Sequence, residues 1–209
     1  MTVSHEIVFV IDDDPLVRKT VEHLLAESGC EVRSFASAEE YLNMRPRPVL
    51  GCLVLDLDLP GLDGLELQRR VCEQKNSLPI VFITGVGDIP ATVRAMKSGA
   101  VDFLTKPLSE GALIRAVRLA LRRSHEEHAE ELERAKLREL FAKLTARETD
   151  VLRLVVRGLL NKQVAAQLGI AEKTVKIHRG RLMKKVGARS LVELARLAER
   201  AGISAPLSS

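Results

Sequence analysis

With 209 residues and 46% apolar side chains, the chain has room for one large domain or two small ones, each with a real core. No apolar run approaches the roughly 20 residues that cross a bilayer, and the opening "MTVSHEIVFVIDDD" has no basic segment followed by a cleavable apolar one; a membrane-spanning and a secreted protein are set aside, and a cytoplasmic location is expected. The net charge of +4 is unevenly spread: residues 1–121 hold 13 basic and 17 acidic side chains, residues 122–143 hold 6 and 6, and residues 144–209 hold 13 and 5, a last segment suited to a polyanion.

The first 121 residues alternate strand and helix. "EIVFVI" is a short apolar run ending in "DDDP", and Val17, Val21, Leu24 and Leu25 follow at helical spacing up to Gly29. "EVRSF" alternates like a strand, and Ser37 with Glu40 forms a capping box for the next helix. "LGCLVLD" has the composition of a fully buried strand; "LPGLDG" is a turn and "LELQRRVCEQ" is helical. "PIVFIT" is a second buried strand, Gly85 and Gly87 loosen the loop after it, and Asp88 with Pro90 starts the helix "ATVRAMKSG". "VDFL" at 101–104 is the fifth strand, closed by "TKP", and "SEGALIRAVRLALRR" is the fifth helix. Strands of this kind, each followed by a helix, predict a doubly wound α/β fold: a five-stranded parallel sheet covered on both faces. Cys30, Cys52 and Cys72 are odd in number and lack a C-x-x-C pair, so they read as core thiols in a reducing compartment rather than as zinc ligands.

Residues 122–143 contain no Gly or Pro and carry both charge signs, with Glu130 and Arg134 spaced as a favourable i,i+4 pair. They read as a solvated helical linker that continues the fifth helix. A coiled-coil seam through Leu121, His125, His128, Leu132 and Ala135 is the alternative, and it is poor at two positions. Beyond it the pattern is all helical. Thr145 with Glu148 and Ser190 with Glu193 form capping boxes, "VLRLVVRGLL" is an apolar helix reaching Gly158, and "NKQVAAQLG" is a short one closed by Gly169. "EKTVKIHRGRLMKKVG" is a long basic helix closed by Gly187, "LVELARLAER" is amphipathic, and the tail "ISAPLSS" is expected to fray.

The chemistry gathers at strand ends, where open α/β sheets bind ligands. Asp12 and Asp13, Asp56, Thr84 and Lys106 end the first, third, fourth and fifth strands. Clustered carboxylates suit Mg²⁺, a metal-bound Asp56 is a nucleophile toward phosphorus, and Lys106 and Thr84 offer a point charge and a hydroxyl to a phosphoryl group. The D-x-D of "VLDLDLPG" leaves two readings open: a haloacid-dehalogenase-type phosphatase, with Asp58 as acid/base, or a switch in which Asp56 alone reacts. The phosphatase pattern needs an acidic pair late in the chain, whereas here the acidic cluster comes first.

"VIDDD", "LVLDLDLPGLDG", "VFITG" and "FLTKP" together resemble the receiver domain of bacterial two-component response regulators, over residues 6–121. The resemblance implies a flavodoxin-like fold and Asp56 as phosphoacceptor. It also implies Mg²⁺ held by Asp12, Asp13, Asp56 and the backbone carbonyl of Asp58, with Thr84, Phe103 and Lys106 as phosphoryl-binding and switch residues and a cis Lys106–Pro107 bond. The Asp58 side chain and Val86 flank the phosphoryl position, where a second negative charge is expected to tune phosphate lifetime. Residues 144–201, including "LTARETDVLRLVVRGLLNKQVAAQLGIAEKTVKIH", resemble the LuxR-type helix-turn-helix domain and place the chain with NarL/FixJ-type regulators. The basic helix would then enter the major groove. Lys176 and Ile177 would face bases, and Thr174, His178 and Arg179 phosphates, with Lys173 among the DNA-binding residues. Ala171 and Leu160 stand where a hydroxyl cap is usual, and Gly180 interrupts the recognition helix. The expected organisation is a receiver at 1–121, a linker at 122–143 and a DNA-binding domain at 144–209. The expected partners are a sensor histidine kinase, promoter DNA and, on phosphorylation, a second copy of the chain; no membrane and no enzymatic turnover are expected. A regulator that binds DNA constitutively, its receiver a scaffold, is the alternative.

Overall fold

The computed structural model describes residues 6–44, 49–73, 77–85 and 89–203. Among these, β1 (Glu6–Ile11), β2 (Glu31–Phe35), β3 (Leu50–Asp56), β4 (Ile80–Thr84) and β5 (Asp102–Thr105) form one parallel sheet in the order β2-β1-β3-β4-β5. The helices between them are α1 (Pro15–Glu27), α2 (Ala38–Met44), α3 (Gly64–Cys72) and α4 (Ile89–Lys97), and α5 (Glu110–Ala142) follows β5. Period-two alternation in the strands sends side chains to two separate cores. Phe9, Ile11, Leu53, Leu55 and Phe82 face Tyr41, Leu67, Val71, Ala91 and Ala95 of α2, α3 and α4. Val8, Val10, Cys52, Val54, Val81 and Ile83 face Val21 and Leu25 of α1 and Leu113, Ala116, Val117 and Ala120 of α5. Each fully buried Val, Leu, Ile or Phe among them contributes roughly 1.5–3 kcal/mol. Both faces must therefore be apolar, which is why β1, β3 and β4 read as continuous runs.

One glycine fixes how closely β3 approaches β1. A Cβ on Gly51 would lie 2.1 Å from Ile7 O, inside any tolerable contact. The Gly51 N–H donates instead to Ser124 Oγ at 3.2 Å, tying β3 to α5. The thiols divide differently from expectation: Cys52 is buried and Cys30 half-buried, but Cys72, the last residue of α3 and outside its buried set of Gly64, Leu67, Gln68 and Val71, is exposed.

The chain divides into two compact units between His128 and Ala129, so the division falls inside α5, within the stretch read as a linker. His125 pairs with Glu6 in the first unit. In the second, Phe141 is buried and Leu137 half-buried in a core shared with α6 (Ala146–Val155), α7 (Asn161–Leu168), α8 (Glu172–Val186) and α9 (Leu191–Arg200). Val151, Leu152, Val164, Val175, Leu182 and Leu194 are its centre. The predicted Glu130–Arg134 pair forms at 3.0 Å, but exposed pairs of this kind contribute little.

Caps define the ends of these helices. Thr145 and Glu148 make a full capping box. Ser190 Oγ accepts the Glu193 N–H, while Glu193 reaches one residue further back, to Arg189 N, so this box is displaced. Before α7, Gln163 Oε1 accepts the Leu160 N–H at 2.8 Å, but Leu160 has no oxygen with which to reciprocate. Ala171 likewise leaves α8 without a side-chain cap. The apolar run expected to stay helical to Gly158 leaves the helix at Val155, and Gly158 adopts φ +85°, a left-handed turn that ends it. Asp88, Gly87, Val86 and most of the tail expected to fray lie outside the described residues.

Candidate functional site

The chain leaves β1 toward β2 on one side of the sheet and leaves β3 toward β4 on the other. The crevice opens at the carboxyl ends of β1 and β3, where that reversal occurs. Asp12, fully buried, follows β1, and Asp56, only 4% exposed, ends β3. Lys106, just past β5, reaches both: its Nζ lies 2.7 Å from Asp12 Oδ2 and 2.7 Å from Asp56 Oδ2. Burial pushes the Asp12 carboxyl above the usual carboxylate range, against the neighbouring Lys106 ammonium that pulls it down. Burial also works against the charge on Lys106, but its pairing with the Asp12 and Asp56 carboxylates outweighs it and holds the ammonium above its ordinary value.

The other oxygens of the pair organise the loops. Asp12 Oδ1 accepts the Asp14 N–H at 2.9 Å, and Asp56 Oδ1 accepts the Asp58 N–H at 3.2 Å. Thr84 ends β4, fully buried, and its hydroxyl donates to Asp58 Oδ2 at 3.2 Å. The Lys106 N–H donates to Thr84 O at 2.7 Å, and the Lys106–Pro107 bond is cis. Phe103, opposite Phe82 in β5, is half-buried against the Phe9–Phe82 face. Gly64 lets α3 come close beneath the site, since a Cβ there would lie 2.4 Å from Asp56 O.

Asp12, Asp13 and Asp56 can each present one oxygen within 4.8 Å of the others. Among the described residues Asp12 Oδ2, buried, has no aligned hydrogen bond, and the Lys106 ammonium pairs with it from one side only. A buried carboxylate oxygen with unspent lone pairs, in an all-oxygen set, fits a hard cation such as Mg²⁺.

Two contributors went unread in the sequence. Arg18 Nη1 donates to Asp12 O at 2.6 Å and to Asp13 O at 3.0 Å, fixing the backbone that carries both carboxylates. Asp14 caps α1 through the Leu16 N–H at 2.8 Å. The signal was the spacing: Asp14 and Arg18 are one helical turn apart, so the turn that Asp14 starts points Arg18 back toward the loop.

In the second unit α7 and α8 meet at Gly169, whose φ of +65° makes the tight turn. Val175, Leu182 and Val186 bury one face of α8. Lys173, Lys176 and Ile177 lie on the other, Ile177 46% exposed, and Thr174, His178 and Arg179 are half-buried at its margin. Lys176 Nζ lies 3.3 Å from Glu172, Arg179 donates to Asn161 Oδ1 at 3.2 Å, and among the described residues the buried His178 Nδ1 has no hydrogen bond. Gly180 is exposed, and a Cβ there would meet nothing within 4 Å. Lys185, also on this basic helix, is committed elsewhere: its Nζ donates to buried Glu148 at 2.6 Å and to Lys143 O at 3.1 Å.

Comparison with known proteins agrees with both halves. Residues 8–118 match the response regulator receiver domain, and residues 142–198 match the luxR family of bacterial regulatory proteins. Nodulation protein W of Bradyrhizobium diazoefficiens is 50% identical over 199 residues, covering 95% of this chain and 88% of that protein. The chain belongs to the NarL/FixJ-type response regulators. The transcriptional regulatory protein FixJ of Azorhizobium caulinodans shares 42% identity with this response regulator over 94% of the chain and 93% of its own length. Among solved structures, the response regulator StyR superposes with a TM-score of 0.75 at 47% identity, over 94% of this chain and 99% of that one. The receiver domain of this response regulator implies a histidine kinase partner, and its luxR-family domain implies DNA binding. Among the described residues no helix is long and apolar enough to cross a membrane.

Proposed function

We propose that this response regulator is a phosphorylation-controlled transcription factor in which Asp56 accepts a phosphoryl group from a histidine kinase. Asp12, Asp13, Asp56 and the carbonyl of Asp58 would hold Mg²⁺, which when bound offsets the negative charge of the phosphoryl group in flight. An Asp56 Oδ forms the new bond to phosphorus as the bond from phosphorus to the kinase's histidine nitrogen breaks. Lys106, already 2.7 Å from Asp56 Oδ2, pairs with a phosphoryl oxygen. Thr84 turns its hydroxyl to the same group, and Phe103 changes rotamer behind it. These shifts bias the α4–β5–α5 face toward self-association, which Ile89, Val93, Met96 and Leu119 support by exposing 74%, 45%, 43% and 43% of their surfaces there. A dimer presents two α8 helices to paired half-sites, with Lys176 and Ile177 on bases and Lys173, Thr174, His178 and Arg179 along the backbone.

The observation that carries this reading is the Lys106 ammonium held between Asp12 and Asp56, with Thr84 at the next strand end. A D-x-D hydrolase would need the Asp58 carboxylate at the reacting group, but that carboxylate accepts from Thr84. The test is labelling with acetyl phosphate and Mg²⁺. One phosphoryl group per chain is expected on the wild type and none on Asp56→Asn, with no turnover of small phosphate esters. Undiminished labelling of Asp56→Asn would remove Asp56 from its role.

A further inference from the structure

Asp58 makes a contact that phosphoryl transfer does not require. Its backbone N–H is spent on Asp56 Oδ1, while its carboxylate extends sideways to the end of β4 and accepts the Thr84 hydroxyl at 3.2 Å. Thr84 is fully buried, whereas Asp58 is exposed. A hydroxyl has one hydrogen to donate, so the hydrogen that serves Asp58 Oδ2 does not serve a phosphoryl group on Asp56. From this geometry we propose that the Asp58 carboxylate is a latch that holds Thr84 in its resting position. The inference rests on the reading of Asp56 as phosphoacceptor. The latch works by competition for one proton donor. A hydrogen bond to a charged acceptor is stronger than a neutral one, and an acceptor two residues from Asp56 is always present at high local concentration. Arrival of the phosphoryl group must break this bond before Thr84 can turn, so Asp58 raises the threshold for switching. Asp58 is thus a positioning residue acting through Thr84, a role separate from that of its backbone carbonyl, which any substitution retains.

The test is a double-mutant cycle on the full chain, read as the Mg²⁺-dependent affinity for a beryllium-fluoride phosphoryl analogue. Asp58→Ala is expected to tighten binding by about tenfold, the order set by one charge-assisted hydrogen bond. Asp58→Asn, which keeps an acceptor without the charge, is expected to fall between. In a Thr84→Val background, which lacks the hydroxyl, Asp58→Ala is expected to change affinity by less than about twofold. An equal gain in both backgrounds would mean that Asp58 acts by charge repulsion alone and would overturn the latch, as would no gain in either. Failure of the underlying reading looks different: the analogue would bind Asp56→Asn as well as it binds the wild type.

Discussion

Lys106→Met is expected to destabilise the receiver by on the order of 2–4 kcal/mol without divalent ions, and Mg²⁺ is expected to restore most of the loss. The Lys106 ammonium is the cation placed against both Asp12 and Asp56, at 2.7 Å from each, and these carboxylates are 0% and 4% exposed. Removing one partner of a buried ion pair strands the other, at a typical cost of about 3–5 kcal/mol. The range here is set lower because Lys106 is itself 21% exposed. A cation bound at Asp12, Asp13 and Asp56 would supply the missing positive charge, so the variant is expected to gain more from Mg²⁺ than the wild type does. Denaturant titrations with Mg²⁺ and with chelator check this. Equal Mg²⁺ gains in variant and wild type would show that the ion does not bind against these carboxylates.

Glu148→Gln is expected to weaken the DNA-binding unit by about 2 kcal/mol at neutral pH, the cost of losing one charge-assisted bond. Glu148 is 2% exposed and makes three hydrogen bonds to two residues: Lys185 at 2.6 Å, the Thr145 N–H at 2.8 Å and, through its own N–H, Thr145 Oγ1 at 3.3 Å. The Lys185 hydrogen bond, followed by the Thr145 N–H, holds its carboxyl down at about 2, against an ordinary 4.5. A carboxylate depressed in the folded state contributes stability that is full above the ordinary value and is lost as pH falls through the folded one. The gap between wild type and Glu148→Gln should therefore be constant above about pH 4.5 and close between there and about pH 2. A gap that persists to pH 2 would assign the loss to packing rather than to charge.

Much of this was legible in the sequence because it is local or periodic. Continuous apolar runs announced β1, β3 and β4, and the strand-end carboxylates stood out because each closed such a run. β5 was read at 101–104 and forms at 102–105, since a short half-buried strand has no sharp edge of hydrophobicity. Contacts that join distant segments left no local trace. Ser124 meets Gly51 across 73 positions, Lys185 meets Glu148 across 37, and Thr84 meets Asp58 across 26. Lys185 shows the cost of reading charge alone: on the helix it looks like one more DNA contact, yet its ammonium locks α6 to α8. Phe141 shows the same of the linker. Its surroundings are dense in charge, so the segment read as solvated, while in the fold it is buried in the core of the second unit.

Control of DNA binding by phosphorylation at Asp56, as proposed, is tested most directly by affinity for one DNA fragment at a fixed salt concentration. The fragment is selected from genomic DNA by the protein itself, and binding is titrated with wild type and Asp56→Asn, each with and without acetyl phosphate and Mg²⁺. Wild type is expected to bind at least about tenfold more tightly once phosphorylated, the scale of an ordinary coupling energy, and Asp56→Asn is expected to stay at the unphosphorylated level under both conditions. Equal affinity of phosphorylated and unphosphorylated wild type would contradict it and leave the receiver as a scaffold for constitutive DNA binding.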